Sequence, residues 1–182
     1  MKRLWAIGLF IMCITLIGCS FEVNTSKGKD KDSEKINGKL TLQILKPDEK
    51  AGVTLENNDF YNDVNKYMEA NPEMGEKDDF SLYTLDLREG EKGEILLMFL
   101  GINRLSMPVT DFSMDVTLGF KDGENVLDNQ KVELGTIMLD GLKPNHAVPI
   151  PVKITEEQAD LYKQLTEDNL FMEIKNFKAD EL

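Results

Sequence analysis

Residues able to do chemistry are few in this sequence, and they are scattered. Glycoside hydrolysis needs two carboxyl groups facing each other across a cleft, and Asp78, Asp79, Glu89, Glu91, Glu94 and Asp115 are the acidic residues that could converge. Their spacing dictates no pair, and a solvated acidic face explains them equally well. The only histidine, His146, ends the run Lys143-Pro144-Asn145-His146, a turn composition that reads as surface and not as a general base. Asp30, Asp32 and Glu34 alternate as calcium-loop ligands do, but Lys35 stands where that loop needs glycine and no bidentate Glu follows. Asp122-Gly123-Glu124-Asn125 is accounted for by hairpin-turn chemistry. There is no Gly-x-Ser-x-Gly elbow, Gly-rich phosphate loop, His pair or cysteine cluster. The expectation is a chain that is not an enzyme and uses no cofactor and no metal.

The remaining reactive candidate is Cys19. Lys2 and Arg3 form a short positive region, and an apolar run from Leu4 to Ile17 follows without a charge. That run is short for a membrane span and fits the apolar core of a secretory signal. It closes on Leu16-Ile17-Gly18-Cys19, which resembles the lipobox of bacterial lipoproteins. The resemblance implies that the Cys19 thiol receives a diacylglyceryl group and that cleavage before it makes Cys19 the mature N-terminus. Residues 1–18 are then a discarded signal, which removes Cys13 as well. Two or more acyl chains give stable anchoring, so the expected address is the extracytoplasmic face of the cell membrane, held by lipid at Cys19.

Ser20 to Asn37 (SFEVNTSKGKDKDSEKIN) offers almost nothing to bury and is expected to be a flexible tether, so residues 19–37 form the anchor and its linker. Residues 38–182 are the size of one domain and contain no cysteine, so packing alone must stabilise them. Removing Lys2 and Arg3 leaves 19 of the 21 basic residues against 33 acidic ones, which takes the formal charge from -12 to -14. Such acidity disfavours nucleic acid as a partner.

The elements that must position these residues are mostly strands. Phe112, Met114, Val116, Leu118 and Phe120 alternate with Asp111, Ser113, Asp115, Thr117 and Gly119, the pattern of a strand with one buried and one wet face. Glu94 to Asn103 (EILLMFLGIN) is apolar on both faces and predicts a central strand. Val132 and Leu134 differ in phase from Ile137 and Leu139, which a bulge at Gly135 would reconcile. Val148, Ile150, Val152 and Ile154 make another strand, and Pro149 and Pro151 remove two donors from one side of it, which predicts a sheet edge. Lys39 to Leu45, Ser81 to Leu87 and a last strand through Leu170, Met172 and Ile174 complete the set. Two short helices are expected: Asp59 to Ala70, and one opened by the capping-box pair Thr155 and Gln158 and running to about Asp168. The fold class is therefore mostly β, an antiparallel, immunoglobulin-like β-sandwich with two short helices.

Asn103 to Phe177 resembles the SLAP domain, named for surface-layer-associated proteins, of exported Firmicutes proteins. The layout is a strand ending Asn103-Arg104, an apolar-Pro linker Met107-Pro108-Val109, an alternating strand, the Asp122-Gly123 turn, a strand ending Leu134 to Ile137, then Leu142-Lys143-Pro144 and a Pro-containing edge strand. The edge strand departs from that layout, with Ile150 and Pro151 where an aromatic would follow the proline. The function expected is a monomeric, non-catalytic binding or interaction module at the cell surface, contacting a cell-envelope protein or polymer. Its binding surface is placed on the loops around Asn103, Arg104, Asn145 and His146. The alternatives are the ligand-binding lipoprotein of a transporter and an exported carboxylate-dependent hydrolase.

Overall fold

The computed structural model describes residues 38–90 and 92–181. Its organising element is the strand Ile95–Asn103, here β3, whose last seven residues are all buried. A strand apolar on both faces needs a cover on each side. A second sheet supplies it on one side and a helix on the other: β3 lies in a four-stranded sheet of order β1-β6-β3-β2, and the second sheet is three-stranded, β5-β4-β7. The strands are β1 Thr41–Leu42, β2 Phe80–Glu89, β4 Val109–Phe120, β5 Asn125–Leu134, β6 His146–Ile154 and β7 Leu170–Glu181, and the helices are α1 Lys46–Lys50, α2 Asp59–Ala70 and α3 Glu156–Tyr162.

Leu97 and Phe99 of β3 point between the sheets, where they meet Phe112, Met114, Val116 and Leu118 of β4, Leu127 of β5 and Ile150 of β6 in one core. Leu100 and Ile102 point the other way, into a second core with Tyr61, Val64 and Met68 of α2. Those three lie at i, i+3 and i+7 on the helix, one apolar stripe laid on the outer face of the first sheet. The molecule therefore has a helix, a sheet and a second sheet as successive layers. Gly101 faces the intersheet core, where an added Cβ would lie 2.8 Å from the Ile150 side chain and 2.9 Å from the Phe80 ring. Its lack of a side chain lets Phe80 lean across β3 to stack on Phe177, with ring centroids 4.7 Å apart, and to contact Phe112 at 5.2 Å.

The alternating strand behaves as its pattern requires. Phe112, Met114, Val116 and Leu118 are buried while Asp111, Ser113, Asp115 and Thr117 are not; at the strand end the alternation lapses, with Phe120 only half-buried and Gly119, expected on the wet face, buried. The helix at Asp59–Ala70 forms over the expected residues, capped by the Asn58 side chain accepting from the Tyr61 N–H. Thr155 and Gln158 make the full capping box, but the helix they open stops at Tyr162.

Several expectations need correction. Lys39 to Leu45 yields a strand of two residues, parallel to β6, because Leu45 turns away into the intersheet core and α1 begins at Lys46. That makes three helices where two were expected. Gly135 is not a bulge within a continuing strand: β5 ends at Leu134, the N–H groups of Met138 and Leu139 both donate to the Gly135 carbonyl, and Ile137 stands exposed on the resulting turn. The edge expected from Pro149 and Pro151 holds for their stretch of β6 but not for the whole strand, since β1 lies outside its start. β6 pairs antiparallel with β3 along its length, while β1 meets only His146 and Ala147 on the other side. The Ala147 carbonyl accepts from Gln43 on that outer side, so by the two-residue repeat Pro149 and Pro151 also face outward, where no N–H is needed.

Candidate functional site

Asn103, Arg104, Asn145 and His146 do come together, at the end of the first sheet where Asn103 of β3 pairs with His146 of β6. Two of them, Asn103 and Arg104, are buried, while Asn145 and His146 stay half-buried at the surface. Asn103 is fully buried; its amide donates to the carbonyls of Met107 and Leu142, and its side-chain oxygen accepts from the Leu105 N–H. These bonds shape the β3–β4 loop.

Arg104 is also buried, with 5% of its surface exposed. Its Nε donates to the Met74 carbonyl at 3.0 Å, Nη2 to the carbonyls of Met74 (2.9 Å) and Pro72 (2.8 Å), and Nη1 to the Gly38 carbonyl (2.9 Å) and the Asn145 side-chain oxygen (3.0 Å). All five bonds end on neutral oxygens. Burial lowers the guanidinium pKa, partly opposed by the nearby Tyr83 hydroxyl, yet an arginine starts so high that it stays charged. The planar fork thus acts as a clamp on three backbone segments: residue 38, the 72–74 loop and the turn at Asn145. Gly75, at φ +86°, completes the fit, since a Cβ there would lie 2.9 Å from Ile102 and 3.0 Å from the Arg104 stem. Its N–H donates to the Tyr83 hydroxyl at 2.9 Å, and burial is the main reason that the Tyr83 pKa is raised. His146 is half-buried, with Nδ1 2.8 Å from the Pro144 carbonyl. The sequence marked these residues because they lie at strand ends; in the structure the polar groups of Asn103 and Arg104 are occupied by internal hydrogen bonds.

The carboxylates considered for hydrolysis lie apart. Asp78 and Asp79 precede β2, and Glu89 ends it ten residues on, about 30 Å away at strand rise. Glu94 lies at that far end, 3.1 Å from Lys153 Nζ. Asp115 belongs to the other sheet, on its wet face opposite Lys131 and Lys175, and accepts from the Asn176 amide at 2.7 Å. Glu91 lies outside the described residues, as does Cys19.

A concavity that sequence reading missed runs between the β4–β5 turn and α3. It measures about 810 Å³ and is lined by Glu124, Asp128, Glu157 and Asp160 together with Asn125, Gln158 and Gln164. The elements explain its position. Gly123 and Glu124 close the hairpin, with the Phe120 N–H donating to the Glu124 carbonyl at 3.1 Å. Gln158 ties α3 to β5 by donating to the Val126 carbonyl at 2.8 Å, which holds the helix beside the turn and leaves a gap between them. One wall has some neutralisation, since Lys163 Nζ lies 2.9 Å from Asp160. The Asp122 to Asn125 turn was visible in the sequence, but its meeting with α3, more than thirty residues later, was not.

Among the described residues no three His, Cys, Asp or Glu side chains group so as to hold a metal ion, and no helix is long and apolar enough to cross a membrane. In comparison with known proteins, the chain matches no family model, no curated protein and no solved structure.

Proposed function

We propose that this chain is a cell-surface lipoprotein, anchored through Cys19, whose single domain is a non-catalytic binding module for a cell-envelope protein or polymer. One observation carries the reading: an open groove of carboxylates and amides beside α3 is left to meet a partner, while Asn103 and Arg104 are taken up by internal hydrogen bonds and the described candidate carboxylates are dispersed. Such a lining recognises by charge and hydrogen bonding and suits a cationic or amide-rich segment. A groove of this size also falls in the range of small-ligand sites, which keeps the ligand-binding lipoprotein of a transporter as the second reading.

The finer fold reading, immunoglobulin-like, is supported by connectivity. Consecutive strands β2 and β3 pair, the chain crosses to the other sheet for the hairpin β4–β5, returns to lay β6 beside β3, and crosses again to lay β7 beside β4. This order parallels an A-B-E over C′-C-F arrangement of such sandwiches, with β1 beside β6 in the place of a D strand but parallel to it, and with no strand in the G position among the described residues. The SLAP-like resemblance belongs to the same proposal.

Two measurements test it. Cys19→Ala should abolish labelling by a radioactive fatty acid, and undiminished acylation would remove the anchor. Partner capture by crosslinking on native cells should weaken when Glu157 and Asp160 are both changed to Lys; capture that persists unchanged would move the binding surface away from the groove.

A further inference from the structure

The point at which residues 1–37 join the domain is fixed by the fold. Gly38 is gripped there: its carbonyl accepts from Arg104 Nη1, and an added Cβ on it would lie 2.9 Å from the Asn145 side chain. Arg104 begins the β3–β4 loop and Asn145 ends the β5–β6 loop, so the chain enters the domain at the end of the sandwich where those two loops emerge. Four large apolar side chains stand exposed among the described residues, and two of them, Met107 (36%) and Ile137 (84%), are on these loops.

Ile137 is also held rigidly. The turn that carries it is closed by Met138 and Leu139 donating to the Gly135 carbonyl, tied to β4 by the Thr136 N–H donating to Asp111 Oδ1 at 2.9 Å, and braced from α1 by Lys46, whose Nζ donates to the Thr136 carbonyl at 2.8 Å and whose N–H donates to the Met138 carbonyl at 2.9 Å. Directly after Ile137, Met138 packs against the core and Leu139 enters it. A β-branched apolar side chain on a braced turn loses little conformational freedom on insertion into an apolar medium.

We propose that this end of the sandwich docks on the lipid surface, with Ile137 and Met107 entering the boundary between headgroups and acyl chains. The proposal rests on the Cys19 anchor. A chain acylated at residue 19 and gripped at residue 38 cannot put more than about 65 Å between them, which keeps the local concentration of bilayer high at this end and lets a contact too weak to recruit a free protein persist. The net charge of -14 left after removal of the signal gives no overall electrostatic pull towards an anionic membrane, so the docking rests on apolar insertion by Ile137 and Met107 beside the anchor. Docking at this end would point the β2–β3 turn, the hairpin at Gly123 and the groove beside α3 away from the membrane, because β2, β3 and β4 span the sandwich between its two ends.

The test uses the full chain, purified with its acyl chains and reconstituted in vesicles of phosphatidylethanolamine and phosphatidylglycerol. Ile137→Trp places a reporter on the braced turn and Lys92→Trp places one at the far end, with the fluorescence of the parent protein subtracted. When acyl-chain-brominated lipid replaces ordinary lipid, emission from position 137 should fall at least twofold while that from position 92 is unchanged. Protein that floats with the vesicles but shows equal, unquenched emission at both positions overturns the docking and leaves the anchor standing. Protein that neither floats nor is quenched at 137 overturns both.

Discussion

The two faces of β3 are stabilised by different means. Towards the second sheet, Leu97 and Phe99 enter the larger core, which contains the Phe80, Phe112 and Phe177 cluster. Towards α2, the core is smaller, and polar bonds surround it: Tyr61 donates to Asp48 at 2.5 Å and accepts from the Leu45 N–H, and Arg104 clamps residue 38 and the 72–74 loop. A twelve-residue helix over a sheet cannot bury as much as a second sheet can, and the difference is offset by hydrogen bonds that fix where the helix sits. Burial holds the sandwich together, whereas directional bonds specify the position of the helical layer.

This contrast can be broken on either side. The largest effect is expected for Phe112→Ala, which opens a cavity in the aromatic cluster and should cost about 3 to 5 kcal/mol in chemical denaturation. Because β4 is central to its sheet, the loss should lower hydrogen-exchange protection in both layers. Arg104→Ala leaves three backbone carbonyls without their donor and should cost about 3 kcal/mol, with the protection loss concentrated in α2 and β1. Equal loss of protection in β4 and β7 would show that the clamp serves the whole molecule. Tyr61→Phe should cost about 1 to 2 kcal/mol by the same logic.

Tyr61 also gives the contrast a pH signature. Burial, with the Asp48 hydrogen bond second, raises its pKa well above the ordinary value of 10.0. The folded state therefore keeps a proton that the unfolded state gives up, so this contribution is complete below pH 10 and is lost as pH rises beyond it. Alkaline titration should destabilise the parent more steeply than Tyr61→Phe, and identical slopes would remove Tyr61 from the account. The smallest effect, about 0.5 kcal/mol, is expected for Asp115→Ala on the wet face, where its bond to Asn176 is exposed to water.

Period-two patterning made the intersheet half legible. The phases of β4 and β6 could be read residue by residue, and β3 announced a central strand because both its faces are apolar. The helical half was legible in part. The α2 boundaries followed from Asn58 and the 3.6-residue repeat, but α1 is five residues long and too short for a repeat to show; only Pro47 in its first turn beside Asp48 and Glu49 hints at it. Phase alone could not tell a bulge at Gly135 from a turn, since both reverse the alternation, and exposure of Ile137 decides for the turn. Arg104 was noticed as a charged residue at a strand end, where local sequence favours a solvent-facing reading. Its acceptors lie up to 66 residues away, and no local pattern encodes them.

The grip on Gly38 has a mechanical meaning. A pull on the chain from before residue 38 would reach β1 first, and two residues of parallel pairing would unzip under little load. With the Gly38 carbonyl held by Arg104, the load is instead shared with β3, the strand bonded to β2 on one side and β6 on the other. Force entering there is passed through Arg104 towards a strand bonded on both sides, and not only to the two-residue edge pairing of β1.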